Sequence, residues 1–407
     1  MTFVLRNIGD DRSALSAGLL GGDFELPRLV LKRSALEHNI ATMAKFCSTH
    51  GASIAPHAKT TMAPSILRRQ LESGAWAMTV ATMQQLRTCA ESGVPRVLLA
   101  NEVVNPRAAE WLGREVAARD GAFEAFCLVD SVSGVGRLSE GLRASGLERP
   151  LPVLIEVGPT GGRAGIRSVD EAVVVAQAVA ASPALRLAGV EGFEGLLGST
   201  RTVDNLAKVD EFLGRMQVVA QRLEGEGLLR DGDEVVLSAG GSTFFDRAAI
   251  VLGATGLQAP TRVVLRSGCY ATHDHGSYGG SSPLAGETGQ PTFVPALELW
   301  SEILSTPEPL RAIAGYGRRD APFDSGLPVV LSRIPAGMEV HPVPVVASVT
   351  GLNDQHAYID TTRAPELAVG DLLICGILHP CTAFDKWRKV PLVDDDYRVV
   401  EIVETLF

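Results

Sequence analysis

The sequence predicts an α/β protein, a (β/α)8 barrel followed by a mostly-β domain. Three observations predict it. Between about residues 50 and 266, eight short apolar segments alternate with helical patterns. Those segments are nearly all apolar, which fits strands of a parallel sheet covered by helices. Past residue 268 the helical patterns stop, Gly and Pro become frequent, and short β-rich runs follow one another. Eight strands favour a closed barrel; a doubly wound open sheet is the alternative.

The expected strands are residues 53–56, 76–80, 96–100, 124–129, 152–157, 186–192, 234–240 and 262–268. Between them, residues 203–227 repeat apolar side chains at steps of three and four and end on Gly, an amphipathic helix with its stop signal. "PRLVLKRSALEHNI" near the start reads as a strand entering a helix. The expected division is a barrel over 30–266 and a β domain made of 1–29 plus 267–407.

Composition excludes several classes. The net charge of −10 argues against nucleic acid or an anionic membrane as partner. The sequence shows no apolar run of membrane-spanning length and no signal-type start, so a cytoplasmic protein is expected. The six cysteines are scattered without a CxxC pair, which reads as reduced thiols rather than a disulfide framework.

In a barrel of this kind, reactive groups follow the C-terminal ends of the strands. Lys59, one of six lysines against 31 arginines, follows the first strand. Burial there would lower its pKa and make it an amine nucleophile; a solvated or salt-bridged lysine is the plainer alternative. "SAGGST" (238–243) and "RSGCY" (266–270) follow the seventh and eighth strands. Their small residues let backbone N–H groups close on an anion, where barrels often bind phosphate. A reactive lysine facing a phosphate cradle implies pyridoxal phosphate. Arg163, after the fifth strand, is placed to bind the cofactor's phenolate oxygen or a carboxylate. In the β domain, His379 and Cys381 stand two apart, so both side chains can reach one ion. Imidazole plus thiolate prefers zinc, and two protein ligands leave room for water or substrate. "HDH" (273–275) is a rival pair.

"PHAKTTMAPSIL", "SAGGST", "RSGCY" and "HPCTAFDKWR" together resemble the D-threonine aldolase / D-serine dehydratase family, over nearly the whole chain. The resemblance implies an alanine-racemase-like barrel binding pyridoxal 5'-phosphate, with a C-terminal β domain. It implies that Lys59 holds the cofactor covalently. It places His57, Gln84 or Gln85, Arg163, Gly240, Gly241, Ser242, Thr243, Gly268 and Tyr270 around that cofactor. It makes His379 and Cys381 the ligands of a divalent metal, zinc first, with manganese, cobalt or magnesium as alternatives. Because family dehydratases tend to carry His-x-Cys and aldolases His-x-Asp, it points to D-serine dehydratase, giving pyruvate and ammonia. D-threonine aldolase, D-threo-3-hydroxyaspartate dehydratase and a non-catalytic cofactor carrier stay as alternatives. A small D-amino acid partner and a homodimer are implied as well.

An arginine cannot replace Lys59 in this reading. Only a neutral primary amine condenses with an aldehyde, and guanidinium stays protonated.

Overall fold

A computed structural model describes residues 19–21, 24–119, 121–229, 232–285 and 292–407. The first 18 residues of the expected β domain, and part of the Gly/Pro-rich stretch after 280, lie outside the described residues.

The chain enters through strand β1 (Arg28–Lys32) and helix α1 (Arg33–Thr49). Eight parallel strands follow. They are β2 (Ser53–Ile54), β3 (Met78–Val80), β4 (Arg96–Glu102), β5 (Glu124–Val129), β6 (Leu151–Val157), β7 (Leu185–Gly192), β8 (Val235–Ala239) and β9 (Thr261–Leu265). Helices α2 (Pro64–Glu72), α3 (Met83–Glu91), α4 (Pro106–Ala118), α5 (Val132–Ser145), α6 (Val169–Ala180), α7 (Val203–Gly225) and α8 (Phe245–Gly253) alternate with them. All eight strands fall within the segments expected from sequence or extend them by a residue or two. The predicted 203–227 helix is α7.

The sheet runs β2-β9-β8-β7-β6-β5-β4-β3, a curled sheet of eight parallel strands. Its two ends meet through a parallel bridge between His57 and Thr79, where the Thr79 N–H donates to the Pro56 carbonyl at 2.9 Å. That closure sets the residues just before Lys59 into the barrel wall.

Period-two alternation sorts each strand. Leu98, Phe126, Leu128, Leu154, Val236 and Val264 form a buried inner cluster. Their neighbours Val97, Leu99, Cys127, Val153, Ile155, Leu237 and Leu265 pack into the larger cluster shared with the helices. Two steps beyond Leu154 and Val264 the same inward file carries Glu156 and Arg266, which line a cavity instead of filling the core. Helix starts are capped as their sequences require. Ser168 and Glu171 form a reciprocal capping box on α6, and Thr82 accepts from the Gln85 N–H on α3.

The second sheet has ten strands. They are β1 together with β10 (Leu297–Glu308), β11 (Arg311–Ala314), β12 (Val329–Ile334), β13 (Val343–Pro344), β14 (Ser348–Leu352), β15 (Ala357–Asp360), β16 (Leu372–Gly376), β17 (Lys389–Val393) and β18 (Val399–Glu404). β1 pairs antiparallel with β10 and parallel with β17, so the chain's first strand is built into the sheet formed by its last third. The loop between β16 and β17 carries residues 377–388 back to the barrel mouth, where Cys381 meets Thr60 and Cys269.

Candidate active site

One cavity opens at the C-terminal ends of the barrel strands. Among its lining residues are His57, Lys59, Asn101, Glu156, Arg163, Glu191, Phe193, Gly241 and Arg266. Lys59 stands on a 3-10 turn, Ala58–Thr60, fixed by the bonds from Thr60 N–H to the His57 carbonyl and from Met62 N–H to the Ala58 carbonyl. Sequence reasoning expects Lys59 to be desolvated by burial. In the structure it is exposed, because its side chain stands in the open mouth rather than in the wall. The chain's own packing therefore does not supply that desolvation.

His57 contributes an imidazole whose Nδ1 is buried without a partner. Burial first, then the Lys59 charge, then those of Arg266 and Arg163, hold it well below its usual pKa and hence neutral. Arg163 lies 5.0 Å from the centre of the Phe193 ring. Its loop is braced by Arg167, whose guanidinium donates to the carbonyls of Arg163, Ala164 and Gly165 at 2.5–2.9 Å.

Beneath these groups lies a buried charged layer. Arg266 pairs with Glu191 and donates to the Gly192 carbonyl at 2.8 Å. Glu191 sits directly beside Glu156 in the β6–β7 register, and Glu156 is hydrogen-bonded to Glu102. Burial, followed by the Glu156 contact, pushes Glu102 up to about 8. Glu156 and Glu191 are also raised, in both cases chiefly by burial. Glu102 Oε1, Glu191 Oε2 and Arg266 Nε are left buried without partners. Sequence reasoning missed this layer. Its signal was acids near the ends of otherwise apolar strands ("LLANE", "VLIEV", "AGVEG").

The two Gly-rich turns differ from expectation in detail. The Gly240 and Gly241 N–H groups, expected to face phosphate, donate to Glu194 Oε2 and Oε1 at 3.1 and 2.6 Å. Glu194 is fully buried. Positive φ at Gly240 (+95°) turns both amides toward it. The amides of Ser242, Thr243, Gly268 and Cys269 carry no hydrogen bond among the described residues. Those of Ser242 and Thr243 lead into α8, a donor-rich arrangement suited to an anion. Gly268 is required by close approach: a Cβ there would lie 2.6 Å from Thr60 Oγ1 and 2.8 Å from the His57 carbonyl oxygen.

Two expected residues lie elsewhere. The Tyr270 hydroxyl accepts from Gln70 at 3.0 Å and its ring is buried 6.0 Å from that of Phe293, so the side chain belongs to the packing behind the turn. Gln84 is exposed on α3 and does not line the cavity; the polar group in that sector is Asn101.

The β domain meets the barrel next to Lys59, at Thr60 and Cys269. His379 and Cys381 are hydrogen-bonded to each other. Asp324 accepts from His379 Nδ1 at 2.5 Å and from the Thr382 hydroxyl at 2.8 Å. A carboxylate on Nδ1 fixes the ring and leaves the second nitrogen for the sulfur, as carboxylates do for metal-binding histidines. The Cys381 contact, then Asp324, raise His379 to about 9, and Cys269, His379 and Thr60 hold Cys381 well below a usual thiol. Thr60 Oγ1 lies 3.3 Å from the Cys381 sulfur, so the residue after Lys59 touches the His-x-Cys turn. No group of three or more His, Cys, Asp or Glu side chains suited to a metal occurs among the described residues, so the donor set here is the pair alone. Of the "HDH" run, Asp274 accepts from the N–H groups of Gly276, Tyr278 and Gly279 and fixes its own turn. His273 is buried against Phe293. Asp324 and Glu194 have no local signature; each works through a partner distant in sequence.

Comparison with known proteins agrees with this fold. Residues 31–250 match the alanine racemase N-terminal domain family, and residues 296–393 match a family described as "Putative serine dehydratase domain". The 3-hydroxy-D-aspartate aldolase of Paracoccus denitrificans (strain Pd 1222) is 28% identical over 330 residues, covering 80% of each chain. Two solved structures show the same fold. The D-threonine aldolase from Filomicrobium marinum has a TM-score of 0.79 and 24% identity, over 96% of each chain. The D-threo-3-hydroxyaspartate dehydratase from Delftia sp. HT23 has a TM-score of 0.74 and 20% identity, over 96% of this chain and 99% of that one. With the family match spanning more than half its length, this chain belongs to the alanine racemase N-terminal domain family, with a D-serine-dehydratase-like domain following the barrel, and is an enzyme of the aldolase and dehydratase kind.

Proposed function

We propose that the protein is a pyridoxal-phosphate- and divalent-metal-dependent lyase acting on D-3-hydroxy-amino acids, and that it eliminates water from D-serine to yield pyruvate and ammonia. The observation that carries this reading is the meeting of Lys59 with the His379–Cys381 pair through Thr60. An amine that can remove an α-proton and a donor pair that can hold a metal, brought this close, can act on one substrate that spans them.

The residues fit both groups. Lys59 offers the amine, and the free amides of Ser242, Thr243, Gly268 and Cys269 offer the phosphate cradle. Neutral His57 forms part of the wall beside Lys59. The imidazole and thiolate of His379 and Cys381 suit zinc, with Asp324 orienting the ring. When bound, pyridoxal phosphate supplies an electron sink for the α-carbanion, and a metal supplies Lewis acidity at the hydroxyl. The chain's own steps are positional. The Lys59 amine takes the α-proton at its Nζ. Arg163 is available to hold the cofactor's phenolate oxygen or a substrate carboxylate.

An aldolase reading is the second. It is favoured by relatives named as aldolases. The two are separated by product. D-serine, D-threonine and D-threo-3-hydroxyaspartate are incubated with the protein, with and without added divalent metal. Formation of 2-oxo acid and ammonia supports the dehydratase, and glycine with an aldehyde replaces it by the aldolase. Retention of the yellow cofactor with no turnover of any of the three would leave a carrier. Gel filtration tests the proposed homodimer.

A further inference from the structure

Four of the six cysteines, Cys47, Cys89, Cys127 and Cys375, are buried in the main core. The other two are 112 residues apart in sequence, yet their sulfurs are 3.1 Å apart. That is closer than the ~3.5–4.0 Å of an ordinary non-bonded heavy-atom contact. It exceeds the length of a sulfur–sulfur bond by about 1 Å. Cys269 opens the short turn Cys269–Ala271 beside the phosphate cradle, and Cys381 lies within the short turn Pro380–Thr382. Neither sits on a strand, so closing the remaining gap takes side-chain rotation and a small shift of two turns. Cys269 is buried, whereas Cys381 is partly exposed. Cys381 is therefore the more accessible of the two residues, and Cys269 lies behind it.

We propose that Cys269 and Cys381 form an oxidative modification site: hydrogen peroxide joins them in a disulfide, and a thiol reductant separates them. The Cys381 sulfur attacks one peroxide oxygen, the O–O bond breaks, and water leaves after proton transfer, giving a sulfenic acid. The Cys269 sulfur then attacks the Cys381 sulfur and displaces that oxygen as a second water. The two thiols together lose two electrons and two protons, and one peroxide becomes two waters. The bond removes the Cys381 thiolate from His379 and ties the 266–270 turn to the 376–382 loop. Its effect on catalysis rests on the function proposed above; the bond itself does not.

The test uses the full-length protein loaded with pyridoxal phosphate and zinc, alongside a chelator-treated sample. Each is titrated with hydrogen peroxide, alkylated and peptide-mapped without reduction. The expected map shows a linked peptide pair containing Cys269 and Cys381, two of the six thiols lost, zinc released from the loaded sample, and full reversal by dithiothreitol. In Cys269→Ser, no link forms and Cys381 proceeds to sulfinic acid that dithiothreitol does not reverse. The proposal is overturned if wild-type Cys381 reaches sulfinic acid while Cys269 stays alkylatable, or if peroxide leaves both thiols free in the chelator-treated sample. The wild-type map decides this even if the serine variant fails to fold. A linked pair with zinc fully retained would uphold the modification and sink the metal assignment instead.

Discussion

Lys59 and the His379–Cys381 pair are joined through the Thr60–Cys381 contact but are held in place by different means. The lysine stands on a turn fixed by main-chain bonds to the barrel wall, two residues from the bridge that closes the sheet. The His379–Cys381 pair stands on a loop that has short main-chain turns of its own, Ala383 N–H to the Pro380 carbonyl and Trp387 N–H to the Phe384 carbonyl, but is tied to the 320–324 segment by side chains: Asp324 on His379 and Thr382, and the Trp387 indole donating to the Asp320 carbonyl at 3.0 Å. Main-chain fixation tolerates side-chain substitution, whereas a loop held by a few side-chain bonds depends on each of them. The barrel side should therefore fail by loss of chemistry, and the β-domain side by loss of geometry.

The largest expected effect is on the barrel side. Lys59→Ala should lower turnover by ~10³-fold or more, the scale of removing a positioned acid–base group. The protein should stay folded by circular dichroism and lose the absorbance of covalently held cofactor. His379→Ala should lower turnover by about 10³-fold, several kcal/mol of lost Lewis-acid assistance, while that absorbance persists. If both variants lost the cofactor band, the two halves of the mouth would not be separable as described.

A smaller effect sharpens the comparison. Asp324→Asn should weaken zinc binding by about 10–100-fold, measured by competition with a chromophoric chelator, with cofactor affinity unchanged. Gly268→Ala should do the reverse. Its Cβ would press on Thr60 and on the His57 carbonyl, so cofactor binding should weaken and stability fall by about 1–3 kcal/mol, read by spectral titration and denaturant melts.

The smallest effect concerns pH. Burial, then the Glu156 contact, push Glu102 up to about 8 in the folded chain, above the ordinary value of 4.5. The folded state thus binds the extra proton between these values. The stability this contributes is fully present below about 4.5 and is lost as pH rises through about 8. Glu102→Gln should flatten that decline, so its melting temperature relative to wild type should improve from pH 5 to 9. A parallel decline in both proteins would place the proton elsewhere in the Glu102–Glu156–Glu191 layer.

Much of the barrel was legible because its signals are local. Apolar strands, helix stops and the position of Lys59 after a strand depend on neighbours within a few residues. The His-x-Cys pair was legible for the same reason. Tyr270 and Gln84 were misplaced because a motif fixes where a residue lies along the chain, not which way its side chain leaves the turn. Gly240 and Gly241 were recognised as anion-binding, yet the anion they meet is Glu194, 46 and 47 residues earlier.

By itself, then, the sequence determined the order and type of the elements, the strand end that carries the amine, and the spacing that puts His379 beside Cys381. These follow from periodicity and side-chain chemistry. Only the tertiary structure decided that Thr60 touches Cys381, that Asp324 orients His379, that Glu102, Glu156 and Glu191 form a chain leading to Arg266, and that Cys269 and Cys381 meet. Those contacts arise because barrel closure and the return of the last third of the chain bring segments together over distances that no local pattern encodes.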